Sequence, residues 1–346
     1  MANPPAPRFV WMTPGTSETG GAIGIVQIIG DPAQLESWAG RLGLRPLKIG
    51  EVALRRLPGG DTGLAAWISP SVIQLTPHAG PAVLRELDGA LRACGLVASR
   101  PEDVPPPLLY PEAADLYEAC MLDALARAPS PLAVSTLLAQ PNSWRRPGTP
   151  EFTAAEARAL ERLLVPPVVA AVGFANVGKS SLVNALAGRS VAVVADSPGT
   201  TLDHVGVLLD LSGLVVQWVD TPGWQPDADR SPAASEACRI ARDAIASADL
   251  IVACGDGDSG FLDTSRVGAQ PAAPVLRVAT RIDRVVGPAD ADVSTSSTTG
   301  AGLERLARRV VEILVPDGLR TAERRWRFHP ALAHRENGPK QPMGDR

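Results

Sequence analysis

"GFANVGKSS", residues 173–181, fits the spacing Gly-x-x-x-x-Gly-Lys-Ser of a loop that wraps a nucleotide's phosphates. The apolar, β-branched run "VVAAV" (168–172) precedes it, and the helix-like "KSSLVNALAG" (179–188) follows. Strand, glycine-containing loop and helix in that order are the context the spacing requires. Backbone amides of the loop then point inward and the helix N-terminus adds its dipole, so phosphate oxygens are attracted. The expected phosphate contacts are Gly173, Asn176, Val177, Gly178, Lys179, Ser180 and Ser181. Lys179 is expected to reach the β- and γ-phosphates and to act in catalysis, and the Ser180 hydroxyl to ligate Mg²⁺.

Lysine usage sharpens the reading. Of 33 basic residues only Lys48, Lys179 and Lys340 are lysines. A chain that has almost abandoned lysine keeps one where a compact point charge is needed and a planar guanidinium would not fit. With such a composition the pattern arises by chance in on the order of one in a few hundred sequences.

Working outward, "DTPG" (220–223) follows the apolar run "LVVQWV". In isolation Asp-x-x-Gly is a turn. Behind a phosphate loop it places Asp220 within reach of a Mg²⁺ shell and the Gly223 amide at the γ-phosphate. Between them lies "DSPGTTLD" (196–203), whose Thr201 is expected to close over Mg²⁺ and the γ-phosphate. The expected Mg²⁺ set is therefore Ser180, Thr201 and Asp220. "VATRIDRV" (278–285) sets Asp283 just past a strand, in the Asn-Lys-x-Asp layout of GTP-binding proteins, with Thr280 and Arg281 in the first two places. A carboxylate accepts hydrogen bonds from guanine N1 and N2 that adenine cannot supply, so ATP should be rejected. Thr280 can still make one side-chain hydrogen bond, and Ser296 and Ser297 of "STSSTTGAGL" (294–303) fall where guanine O6 would be met. The nucleotide expected is GTP, with GDP as product.

Composition bounds the rest. The 346 residues are 45% hydrophobic and 20% charged, as in a globular protein with a real core. A net charge of −4 excludes a globally basic nucleic-acid coat. Four scattered cysteines without zinc spacing, no signal-like N-terminus and no apolar run of about 18 residues point to a cytoplasmic protein that does not span a membrane.

The expected fold class is α/β. A doubly wound, mostly parallel P-loop domain (166–316) follows a small α+β domain (1–98) and a short helical connector (99–165). "DPAQLESWAGRLG" and "AGPAVLRELDGALRACG" read as helices of the first domain, and "VIQLTP" (72–77) as one of its strands. In the connector, "QPNSWRRPGTP" reads as a breaker and Thr153-Ala-Ala-Glu156 as a capping box. Only about twenty residues join "LIVACG" to "VLRVAT", so the crossover helix there is expected to be reduced or missing. Residues 317–346 form a tail, with seven basic and three acidic residues from Leu319 onward, expected to be solvated.

The motifs resemble those of the TrmE/MnmE family of tRNA-modification GTPases, within the Era-like GTP-binding proteins. The carriers are the asparagine of "GFANVGKS", the "PGTT" of the first switch and "NALAGR" after the loop. "TPGTSETGGAIGIVQIIG" (13–30) and "VIQLTPHAGPAVLREL" (72–87) are similar to stretches of that family's N-terminal domain, so the likeness covers roughly 12–98 and 166–316. The resemblance implies GTP hydrolysis with Mg²⁺, tied to tRNA wobble-uridine modification. It also implies stimulation by K⁺ held on a catalytic Asn176, and a homodimer through the N-terminal and GTPase domains. Two family residues that bind a folate one-carbon donor align with Gln27 and Gln74, and the chain ends "QPMGDR" without the family's terminal cysteine motif. Binding of 5-formyltetrahydrofolate is therefore not expected. Trp224 stands where some switch proteins carry a water-orienting glutamine, and the family's second-switch glutamate has its nearest match in Glu236. The rival readings are an Era-like regulatory or ribosome-assembly GTPase that meets ribosomal RNA without modification chemistry, and a GTP-binding scaffold with little hydrolysis.

Overall fold

A computed structural model of the chain describes residues 7–13, 22–44, 47–188, 206–224, 232–263 and 272–333, side chains of 232–238 excepted. Thr201 and the rest of the first-switch stretch lie outside the described residues, as does the Glu236 side chain. The chain divides into two compact units: one runs to Asp123 and takes in the segment from His329, and the other runs from Ala124 to Phe328.

The first unit carries β1 (Arg8–Trp11), β2 (Val26–Ile29), α1 (Pro32–Arg41), β3 (Val52–Arg56), β4 (Thr62–Ser69), β5 (Val72–Thr76), α2 (Pro81–Ala93), β6 (Val97–Ser99) and α3 (Pro106–Leu109). Its sheet runs β3-β4-β5-β2-β1-β6, with only β1 and β6 parallel. Asp31 caps α1 through a 3.0 Å bond from the Ala33 amide, and a proline opens the helix. Leu84, Leu87 and Leu91 give α2 one buried face, and the chain turns out of it at Gly95, φ +89°. The core gathers Phe9, Ile28, Leu35, Leu75 and Leu87 between helices and sheet.

The division falls inside α4 (Leu116–Arg127), so the two units share the helical stretch expected to be a connector. The second unit holds α5 (Ala133–Arg145), α6 (Ala154–Glu161), β7 (Val168–Val172), α7 (Lys179–Ala187), β8 (Val207–Leu211), β9 (Leu214–Asp220), α8 (Pro232–Ser247), β10 (Leu250–Gly255), β11 (Val275–Ala279), β12 (Val293–Ser294), α9 (Leu303–Leu314) and α10 (Asp317–Arg320). Its sheet runs β12-β11-β10-β7-β9-β8, all parallel except the antiparallel edge strand β8. β7 and β10 are almost wholly buried, which is why they read as unbroken apolar runs. Leu306, Val310, Val311 and Leu314 pin α9, each worth about 1.5–3 kcal/mol of burial. No helix occurs in the β10–β11 connection among the described residues.

Two expectations fail here. The stretch expected to break at Gln140 continues as helix through Pro141. Burial of Thr136, Leu137, Gln140 and Trp144 outweighs the hydrogen bond a proline removes. The expected solvated tail is, as far as Phe328, a strap packed against α5. Trp326 is fully buried, its amide donates to Gln140 Oε1 at 2.7 Å, and its carbonyl accepts from Trp144 Nε1 at 3.1 Å. Apolar residues between the arginines bind this segment down, and charge counting misses them. Among the described residues, no helix is long and apolar enough to cross a membrane.

A candidate guanine-nucleotide site

In an open parallel sheet, ligands gather beyond the carboxyl ends of the strands, where the strand order reverses. Here that point lies between β7 and β10. The neighbours pack so closely that a Cβ on Gly173 would overlap the Cys254 carbonyl oxygen. Asn176 (φ +62°) and Gly178 (φ +97°) adopt left-handed conformations, which bend the loop back before α7 begins at Lys179. The Lys179 ammonium donates to Phe174 O at 2.9 Å and to Gly173 O at 3.3 Å, and the residue is 5% exposed. Burial lowers its pKa from the ordinary lysine value, with Cys254 and Asp220 opposing the shift. Burial likewise pushes the Cys254 thiol up to about 12, which keeps it protonated.

β9 delivers the second half. Ser180 Oγ donates to Asp220 Oδ2 at 2.5 Å, while Asp220 Oδ1 is buried with no hydrogen-bond partner. Beyond Asp220 the chain lies along the phosphate loop. The Trp224 amide donates to Gly173 O at 3.1 Å, and the Ala175 amide donates to Trp224 O at 2.9 Å. Gly223 is obligatory in this approach, because a Cβ would sit 2.8 Å from the Ala175 nitrogen. Trp224 meets Phe174 edge-on with centroids 5.5 Å apart, and both pack on the cluster of Val172, Ile251 and Leu262.

The base-side residues come together beyond β11. Thr280 Oγ1 bonds the Val177 carbonyl of the phosphate loop and lies 3.1 Å from Gly255 O. The single hydrogen bond expected of Thr280 therefore fastens two loops. Ser296, fully buried, donates to Asp283 Oδ1 at 2.6 Å, and this bond is the main cause holding the Asp283 carboxyl below its ordinary pKa. Arg281 reaches Asp256 at 3.4 Å. Asn176 and Ser297 lie in the expected loops and Ser181 in the first turn of α7, with Ser181 and Asn176 exposed. The sequence reading missed Asp256, Phe174 and Thr221, whose hydroxyl donates to Ala171 O at 2.7 Å. "DGD" after "LIVACG" is the one available signal for Asp256.

Residues 168–281 match the family described as 50S ribosome-binding GTPase. The second unit carries a P-loop GTPase domain. The tRNA modification GTPase MnmE of Acidiphilium cryptum is 41% identical over 163 residues, 46% of this chain and 36% of that protein. GTPase Der of Salinispora tropica is 40% identical over 148 residues, 42% of this chain and 30% of that protein. Among solved structures, Aquifex aeolicus Era bound to GDP and aluminium fluoride is 25% identical and covers 43% of this chain and 56% of its own, with a TM-score of 0.34. The chain thus spans about a third of the length of the curated relatives it matches.

Outside the GTPase domain, β2 carries Gln27, one of the two positions that align with a folate site. Gln27 is 5% exposed and its Nε2 donates to Leu109 O at 3.0 Å. Its Oε1 is buried with no hydrogen-bond partner, and a neutral amide offers no charge to an anionic tail. In the same unit, His78 pairs with Asp61 at 2.9 Å.

Proposed function

We propose that the chain binds GTP at this site and hydrolyses it to GDP and phosphate, acting as a switch linked to tRNA modification. The observation that carries the reading is the meeting of Lys179, Ser180 and Asp220 beneath the phosphate loop, with the Asp220 Oδ1 free of protein partners. Gly173, Asn176, Val177, Gly178, Lys179, Ser180 and Ser181 would cradle the phosphates. Gly223 would present its amide to the γ-phosphate. Ser180 and Asp220, with Thr201, would hold Mg²⁺, which supplies charge neutralisation on the phosphate oxygens when bound. Lys179 is the catalytic cation of this chain, its ammonium already oriented by two carbonyls. Thr280, Arg281, Asp283, Ser296 and Ser297 would receive the guanine.

The link to tRNA, the K⁺ stimulation through Asn176, the homodimer and a cytoplasmic setting follow the likeness to MnmE. The four-part division at 98, 165 and 316 belongs to the same reading. Two observations support an alternative in which an Era-like GTPase serves ribosomal RNA without modification chemistry. One is the match to the ribosome-binding family, and the other is the poor fit of Gln27 to folate.

Phosphate release from GTP by the whole chain tests the proposal. Release should be faster in K⁺ than in Na⁺, and Lys179→Ala should lower it by several kcal/mol of barrier, hence by two decades or more. Equal release by Lys179→Ala would refute the assignment.

A further inference from the structure

Beside the candidate base-side residues lies a buried carboxylate that no nucleotide-binding motif supplies. Asp256 follows β10, is 3% exposed, and its Oδ1 accepts the Ser259 amide at 2.9 Å. Its other oxygen lies 3.4 Å from Arg281 Nη1. Arg281 has a left-handed backbone, φ +58°, and runs its stem over the phosphate loop: Cγ and Nε lie 3.7 Å from where a Cβ on Gly178 would be. The arginine therefore spans from the start of α7 to the end of β10, two residues before Asp283. Gly257 packs so tightly on the loop after Asp283 that a Cβ would stand 2.5 Å from Val285 Cγ1, which fixes the Asp256 loop against the base-side loop.

We propose that Asp256 is a positioning residue for guanine-nucleotide binding, holding Arg281 across the base pocket so that its stem covers one face of the bound base. The proposal rests on the guanine-site reading above. It also accounts for an arginine at 281: its fork reaches a carboxylate one strand away while the stem stays on Gly178. A stem that covers a face does not read the base edge, which is left to Asp283. Losing the anchor should therefore weaken guanosine and inosine nucleotides alike.

Release of methylanthraniloyl-GDP from the full-length chain, followed by fluorescence, tests this. Asp256→Asn should speed release about fivefold, the upper range for an exposed ion pair, and slightly more because one partner is buried. Arg281→Met keeps the stem and removes the charge on a side chain that is 41% exposed, so it decides the matter should Asp256→Asn fail to fold. Arg281→Met should show the same acceleration, the double variant should be no faster than either single, and the ratio of GDP to IDP affinity should stay at the wild-type value. Unchanged release in Arg281→Met, or accelerations that multiply in the double variant, would overturn the proposal. Wild-type chain that gives no saturable signal with the probe overturns the guanine-site reading itself.

Discussion

Asp283 shows how much chemistry a single position holds. The Ser296 hydroxyl donates to its carboxylate and is the main cause lowering its pKa from the ordinary value, and a carboxylate has acceptors for both guanine hydrogen bonds. Asp283→Asn replaces one acceptor with a donor, so GDP affinity should fall on the order of 100-fold or more while xanthosine diphosphate gains. Competition binding with the two nucleotides checks this, and an unchanged preference would remove Asp283 from the site. Lys179, Ser180, Asp220 and Asp283 were legible in the sequence because their chemistry is written in short, ordered spacings. Asp256 was not, since it meets Arg281 only through the parallel pairing of β10 with β11. The need for glycine at 173 was hidden for the same reason, as it comes from a neighbouring strand's carbonyl.

Elements were readable where the signal was local. The capping box of α6 is present as expected, with the Glu156 carboxylate accepting the Thr153 amide at 2.8 Å. The same carboxylate also accepts from Arg324 at 2.7 Å, a partner 168 residues away that no local pattern announces. Trp326 and Arg324 read as a solvated tail for this reason, and Pro141 as a breaker because the partners of its neighbours Gln140 and Trp144 also arrive from the strap. Together these bonds lower the Glu156 pKa from 4.5 to about 2, with the Arg324 bond the largest cause. A depressed carboxylate stabilises the fold above its unfolded pKa, and that contribution is lost as pH falls through the folded one. Glu156→Gln should therefore lower the Tm by a constant amount above about pH 5, with the gap closing between pH 4.5 and about 2. Melting curves across that range check the sign. A gap that widens on acidification would contradict the linkage.

At the scale of the whole molecule, the strand patterns gave the class of each unit, α+β and doubly wound α/β. The division inside α4 escaped them because a helix continuing from one unit into the next carries no composition break. The first unit keeps its sheet and core while Gln27 is committed to Leu109 O. Calorimetry with 5-formyltetrahydrofolate at micromolar concentration should accordingly show no heat of binding, and tight stoichiometric binding would restore the folate chemistry. All of this turns on the nucleotide. The most direct measurement is the thermal shift of the whole chain with Mg²⁺ and either GDP or ADP, each at high concentration. Saturation near 100 times Kd is worth roughly 2.7 kcal/mol, so GDP should raise the Tm by a few degrees while ADP leaves it where it was. Equal stabilisation by the two, or none by GDP, would contradict the guanine-nucleotide site.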